Sequence, residues 1–465
     1  MTANQEEQEQ EQRRRLLAIA TRFPLPSGCR FSYGTAGFRA DGATMAPAVC
    51  RAGILAALRS VKLAGAAVGI VITASHNPVG DNGVKIADPD GGMMAQHWEP
   101  FADALANAPD PDALLQLVLQ FAKDEGIPLG GQDTAQVLLG RDTRPTGAYL
   151  LDAALQGINA IVGANAIDIG ILTTPQLHWM VRSKNQGALT HFPRPSTKRR
   201  ELSALASDSR VDLLVDGDKI LSLFALFIRE QLDIINNSGG QTNKSLSARL
   251  GIVQTAYANG ASTQFLKSLG LEVVFTPTGV KYLHKRALEY DIGIYFEANG
   301  HGTVVFSEDF ISQLESLSNG LSSQAATGSA QYHAVMRLLA ESQLINQAVG
   351  DALSGLLLVE AILQYKGWSF QNWCELYSDL PSKQMKVKVK DRSVIVTTDA
   401  ETKVSQPSGL QELIDKETAN YTHGRCFVRP CGTEDVVRVY AEASTQVEAD
   451  SLTKSVAHHV ERILG

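Results

Sequence analysis

Short β-branched runs alternate with helical periods along most of the chain. Residues 67–73 (AVGIVIT) are a short β-branched stretch and read as a buried strand. Residues 137–139 and 167–172 read as further strands, and 147–162 between them carry helical spacing. Residues 98–126 are helical in period but interrupted by Pro109 and Pro111. Pro175 opens a further helix at its first turn, where a missing N–H costs nothing. Ahead of this, residues 1–25 read as a ragged helical lead-in. The alternation over 26–185 predicts an α/β unit, a parallel sheet covered by helices.

The pattern then fails. Residues 186–212 are basic, Ser-rich and aperiodic, with Pro193 and Pro195, and read as a linker. From 213 the alternation resumes: a helix at 221–232, strands at 250–255, 271–276 and 292–296, and helices at 262–269 and 279–290. Helical period fills about 308–378. Residues 386–397 alternate polar and apolar as a half-solvated strand does. A helix, two strands (426–428 and 437–441) and a last helix complete a small α+β domain. The predicted division is 1–185, a linker at 186–212, 213–325, a helical connection at 326–380, and 381–465.

Composition narrows the function. The chain has 465 residues and a formal charge of −7, which argues against nucleic acid or an acidic membrane as partner. The five cysteines are scattered, and no pair has metal-ligand spacing. No apolar run approaches the ~18 residues of a membrane span. The N-terminus lacks the apolar core of a signal peptide, so the cytoplasm is the expected location.

The chemistry concentrates in a few loops. Thr73-Ala74-Ser75-His76-Asn77-Pro78 directly follows the strand at 67–73, where α/β proteins place ligands. His76 and Lys85 put two cationic groups in that loop. Tyr33-Gly34-Thr35-Ala36-Gly37-Phe38-Arg39 precedes it, and Gly140-Arg141-Asp142-Thr143-Arg144 reads as a salt-bridged structural turn. Phe296-Glu297-Ala298-Asn299-Gly300-His301-Gly302 follows a strand. In Arg429-Pro430-Cys431-Gly432-Thr433-Glu434-Asp435, with Arg438, two arginines can bind phosphate as bidentate forks.

Together these strings, in this order, resemble the phosphohexomutase family. The Glu-Ala-Asn-Gly-His form at 297–301 is similar to its N-acetylglucosamine-phosphate branch. The resemblance covers roughly 26–185 and 213–465. It implies mixed α/β domains of the phosphohexomutase type with a C-terminal α+β domain. It also implies interconversion of N-acetylglucosamine 6-phosphate and 1-phosphate through a phosphoserine, in the synthesis of UDP-N-acetylglucosamine. Ser75 would carry the phosphoryl group, and His76, Lys85 and Arg39 would serve the transfer. Glu297, Ala298, Asn299 and His301 would hold the sugar. Arg429, Pro430, Cys431, Gly432, Thr433 and Arg438 would hold the phosphate that is not reacting. Cys431 stands where the family usually has serine, and a thiol is the weaker donor. The partners implied are N-acetylglucosamine phosphates, and the protein a monomer.

One part of the pattern is missing. The family's second domain ends in Asp-Gly-Asp-x-Asp-Arg, whose carboxylates bind Mg²⁺ together with the phosphoserine. That string is absent; the linker at 186–212 stands where about 100 residues are expected. Asp216-Gly217-Asp218 lacks the third aspartate and runs straight into a helix, so it is rejected as the metal loop. The expected consequence is impaired turnover. A non-catalytic sugar-phosphate-binding remnant, or a different phosphohexomutase, stays open at this point.

Overall fold

A computed structural model describes residues 3–34, 37–75, 77–130, 135–187, 215–237, 246–323, 328–431 and 435–465. They form two compact units, 1–208 and 209–465.

The first unit is built on a sheet of β1 (Phe38–Asp41), β2 (Ala67–Ile72), β3 (Asp81–Ala87), β4 (Ala135–Arg141) and β5 (Ala164–Ile171), in the order β1-β3-β2-β4-β5. β2, β4 and β5 run parallel, as the alternation predicts. The sheet as a whole is mixed, because β3 returns antiparallel beside β2 and β1. Residues 81–87 are buried but polar at Asp81, Asn82 and Lys85, so hydrophobic pattern alone gives no strand there. β2 is buried at every position. The helices Ala46–Lys62 and Gly147–Asn159 cover one face, touching backbone to backbone: a Cβ on Gly157 would lie 1.8 Å from the Cys50 carbonyl oxygen. The helix Thr174–Asn185 covers the other, packing Leu177 and Val181 against Val71 and Leu138. The lead-in is a docked helix, Ala3–Arg22, with Leu16 and Ile19 in the core.

In the second unit β6 (Leu250–Thr255), β7 (Glu272–Thr276), β8 (Ile292–Phe296) and β9 (Gly302–Phe306) form a sheet in the order β7-β6-β8-β9, with β9 antiparallel. The helices Ala330–Leu344, Ala352–Lys366 and Phe370–Cys374 share one core with this sheet: Leu338, Leu358 and Trp373 pack with Phe224, Ile252 and Phe296. The segment expected as a connection at 326–380 is therefore part of a domain core. Part of its apolar surface is buried against the helix Gly217–Asn237 and the strands that precede it, while Leu353, Leu356 and Leu357 stay exposed. The C-terminal part joins β10 (Ser382–Lys388), the hairpin β11 (Val396–Thr398) and β12 (Lys403–Gln406), β13 (Arg425–Pro430) and β14 (Val436–Glu442). Its three-stranded sheet has the order β10-β14-β13, covered by the helices Leu410–Thr418 and Gln446–Leu464. Among the described residues no helix is long and apolar enough to cross a membrane.

Candidate active site

β2 ends at Ile72, and three residues later Ser75 stands exposed with φ 57°. Few non-glycine residues enter that left-handed region, and they do so where their surroundings hold them. Here the surroundings are explicit. The Ser75 N–H donates to Thr73 Oγ1 (2.9 Å), and the Thr73 hydroxyl donates to Asp142 Oδ2 (2.6 Å). Arg144 donates from Nη2 to the carbonyls of Ser75 (2.9 Å) and Asn77 (2.8 Å). Its Nη1 donates to those of Pro78 (2.6 Å) and Asp81 (2.8 Å). Its Nε lies 3.2 Å from Asp142 Oδ2. The turn at 140–144 is structural, as read from the sequence, and the structure it maintains is the serine loop.

Lys85 lies on β3, not within one loop with His76, and His76 itself is outside the described residues. Strand β3 turns Lys85 to the face that carries Arg39, because Arg39 pairs with Gly83 across β1–β3. Arg39 donates from Nη1 to Asn77 Oδ1 (3.1 Å), while its Nε is buried with no partner. Lys85 has no hydrogen-bond or ion-pair partner among the described residues. Burial, and then the Arg39 charge, push its pKa down to about 8. Asp81 offsets part of the Arg39 charge, while Lys85 has no such partner among the described residues, and the two cations beside an exposed serine suit an anion on it.

The second unit holds the other loops. Between β8 and β9 the chain turns through Glu297–His301, closed by hydrogen bonds from Glu297 N–H to the His301 carbonyl (2.8 Å) and Gly300 N–H to the Glu297 carbonyl (2.9 Å). Asn299 links the side chains: its Nδ2 donates to Glu297 Oε2 (3.3 Å), and its Oδ1 lies 3.0 Å from His301 Nδ1. Beneath the turn, Gly217 N–H donates to the Ala298 carbonyl at 3.1 Å. A Cβ at 217 would lie 1.9 Å from the Glu297 carbonyl oxygen, so only glycine fits. The rejected metal string is thus the seat of the turn at 297–301. Asp216 Oδ1 accepts from Lys219 N–H (3.1 Å) at the start of the helix Gly217–Asn237. Asp218, 1% exposed, accepts from Asn259 N–H (2.7 Å) through one oxygen, and the other is buried with no partner. Burial raises its pKa to about 7.

On β13 and β14, Arg429 and Arg438 stand directly opposite each other. Like charges in that position repel, which an anion between them would relieve. Pro430 pairs with Val437, and Cys431 N–H donates to the Val436 carbonyl (2.8 Å), closing the base of the loop. Gly432 and Thr433 lie outside the described residues. Sequence reading missed Glu401, whose carboxylate lies 3.2 Å from Arg429 Nε. A lone glutamate in a hairpin carries no signal of such a role.

Among the described residues Mg²⁺ finds a poor fit. Among the described residues no group of three or more His, Cys, Asp or Glu side chains is placed to hold a metal ion. Asp216 and Asp218 are committed to backbone N–H groups, and Asp218 is biased toward its neutral form.

Comparisons with known proteins bear on the family. A family model described as phosphoacetylglucosamine mutase AMG1, domain III, matches residues 216–368. Models of the phosphoglucomutase/phosphomannomutase domain I and C-terminal domain match 52–190, in two overlapping parts, and 385–459. The phosphoacetylglucosamine mutase of Oryza sativa subsp. japonica is 61% identical over 538 aligned positions, spanning 94% of this chain and 95% of the relative. The chain belongs to the phosphoacetylglucosamine mutases, within the phosphohexomutase family. The human phosphoacetylglucosamine mutase is 36% identical, with 95% of each chain covered. The crystal structure of Aspergillus fumigatus N-acetylphosphoglucosamine mutase in complex with GlcNAc-6P and magnesium superposes with a TM-score of 0.84 at 34% identity, covering 97% of this chain and 99% of that one. The rice alignment has 538 positions against 465 residues here, so at least 73 of them face no residue of this chain. The matched family models leave 191–215 between them.

Proposed function

We propose that this chain interconverts N-acetylglucosamine 6-phosphate and N-acetylglucosamine 1-phosphate through a phosphoryl group on Ser75, with turnover much reduced relative to its relatives. The observation that carries the reading is the Ser75 loop: an exposed, left-handed serine held by Arg144 beside Lys85, which has no carboxylate partner among the described residues, and Arg39. The phosphoryl group leaves Ser75 Oγ for the free sugar hydroxyl, whose proton ends on Ser75. The sugar turns over, and its other phosphate returns to the serine. Lys85 and Arg39 offset the charge near −2 of the phosphoserine, with His76 assisting. Glu297, Ala298, Asn299 and His301 hold the sugar in both orientations. Arg429, Pro430, Cys431, Gly432, Thr433 and Arg438 hold the idle phosphate. The chain works as a monomer in the cytoplasm, in UDP-N-acetylglucosamine synthesis.

The reduction follows from the missing stretch. The Aspergillus relative was crystallised with magnesium, and a metal contributes several kcal/mol to stabilising phosphoryl transfer. Without it, a loss of about a thousandfold is expected for ~4 kcal/mol. The alignment gap supports this reading, as does the poor fit of Asp216 and Asp218. It equally favours a second reading, a remnant that binds sugar phosphate without turnover. One experiment separates them. The protein is incubated with N-acetylglucosamine 1,6-bisphosphate and Ser75 is followed by peptide mass spectrometry, with Ser75→Ala as control. Phosphate appearing on Ser75, and N-acetylglucosamine monophosphate released in step, support the mutase. Tight binding with an unmodified Ser75 supports the remnant.

A further inference from the structure

The hairpin between β11 and β12 is bent through Asp399, Ala400 and Glu401, with φ of 48°, 56° and 70°. Three successive non-glycine residues in the left-handed region persist only where contacts outside the turn hold them there. Those contacts are made by Glu401. Its Oε2 accepts from Thr278 N–H (2.9 Å) and from the Thr278 hydroxyl (2.6 Å). The same oxygen lies 3.2 Å from Arg429 Nε. Thr278 follows β7, while Arg429 is on β13, so one carboxylate ties the α/β sheet of this unit to its C-terminal sheet. The pair is largely enclosed, with side-chain exposures of 17% for Arg429 and 18% for Glu401. The Tyr257 ring stands on another side of the guanidinium, its centroid 5.9 Å from the guanidinium carbon.

We propose that Glu401 is a positioning residue for the phosphate pocket. Its carboxylate stands as an ion-pair partner on the Nε side of Arg429, at a distance that gives charge contact without a hydrogen bond, and leaves the two terminal nitrogens to face a phosphate monoester. A guanidinium has two usable edges. With no charge partner on the Nε side, the side chain can rotate about its long stem and present either edge or neither. Held from behind, it meets the phosphate with little ordering left to do, and that lowers the entropic cost of binding. The charge of Glu401 works in the opposite direction, because a carboxylate behind the arginine offsets part of its attraction for phosphate. That a carboxylate stands there at all points to geometry as its contribution. Thr278 supplies the fixed point: its two donors orient Oε2, and through it Arg429 is referred to the sheet that also carries the sugar turn on β8 and β9.

This inference rests on the reading of Arg429 as a phosphate-binding residue, and the experiment separates the two. Dissociation constants for N-acetylglucosamine 6-phosphate and for inorganic phosphate are measured by calorimetry on the full chain and on Arg429→Ala, Glu401→Ala, Glu401→Gln and Thr278→Val. Arg429→Ala should weaken both ligands about tenfold, the loss of roughly one charged hydrogen bond to phosphate, and Glu401→Ala should do the same by releasing the ion pair that orients Arg429. Glutamine keeps an oxygen acceptor at the same reach, so Glu401→Gln should stay within about threefold of the parent. Thr278→Val, which removes one anchor without touching the pocket, should weaken binding about threefold. It decides the matter if Glu401→Ala does not fold. Three results overturn the proposal: Glu401→Ala binding like the parent while Arg429→Ala does not; Glu401→Gln binding tighter than the parent, which would make Glu401 a competitor of phosphate; or Thr278→Val without effect. If Arg429→Ala itself binds normally, the phosphate-pocket reading fails and takes this inference with it.

Discussion

Replacing Arg144 by lysine should disable Ser75 while leaving the first unit folded. The guanidinium is 9% exposed and makes four bonds to carbonyls of the serine loop besides its contact with Asp142. A hydrogen bond to a charged donor is worth ~1.5–3 kcal/mol, and removing one partner of a buried pair costs ~3–5 kcal/mol. These contributions share one group and do not add. Two of the four carbonyl bonds lie at exposed positions, where water takes over part of the work. We therefore assign about 3 kcal/mol to holding the loop, most of it local to residues 75–81. Lysine keeps the charge but offers three donors from a single point, which cannot span four carbonyls. If the loop then reaches its present conformation only on opening and reclosing, the rate of phosphate uptake at Ser75 falls about a hundredfold. The assay is phosphate incorporation from N-acetylglucosamine 1,6-bisphosphate by intact-mass spectrometry, with melting followed in parallel. Uptake by Arg144→Lys within threefold of the parent would refute the reasoning. So would a loss of uptake accompanied by global unfolding.

Other consequences are open to measurement. Lys85 has a folded pKa near 8, below the ordinary lysine value. Its charge, and with it phosphate affinity at the Ser75 loop, should decline as pH rises through about 8, and Lys85→Met should remove that step. The same depression means that its burial penalty fades between pH 8 and about 10.5, so its contribution to stability rises over that window. Asp218 is the opposite case. Its pKa is raised to about 7, so stability is lost as pH climbs from about 4 to 7 and the buried charge forms. Asp218→Asn should therefore melt higher than the parent at pH 8 and converge with it near pH 4; equal differences at both would show that the carboxyl does not titrate there. Cys431→Ser should tighten binding of sugar phosphate by about 0.5–1.5 kcal/mol, as a hydroxyl is the better donor. A weaker dissociation constant would show a pocket adapted to the thiol.

Much of this protein could be read without coordinates. Uninterrupted β-branched runs and helical periods are local signals, and they predict β2, β4, β5, β6 and β8 within a few residues. Thr173 and Gln176 form a capping box at the helix that Pro175 was expected to open. The order of the loops around Ser75, Glu297 and Arg429 was enough to place the chain in its family. What sequence could not decide is what depends on contacts between distant segments. Strand β3 is too polar for its burial to be seen, since its place is set by hydrogen bonds to β1 and β2; with it goes the placing of Lys85 on one face with Arg39. Arg144 acts on backbone carbonyls, which every residue has, so no side-chain pattern marks its targets. Gly217 and Asp218 looked like a broken metal loop, yet they seat the turn at Glu297 and the start of the helix at Asn259. Glu401 is one glutamate among many until folding brings Thr278 and Arg429 to the same oxygen. Local periodicity selects the elements; only the packed chain decides which polar groups meet, because a buried hydrogen bond rewards proximity in space and leaves no period in the sequence.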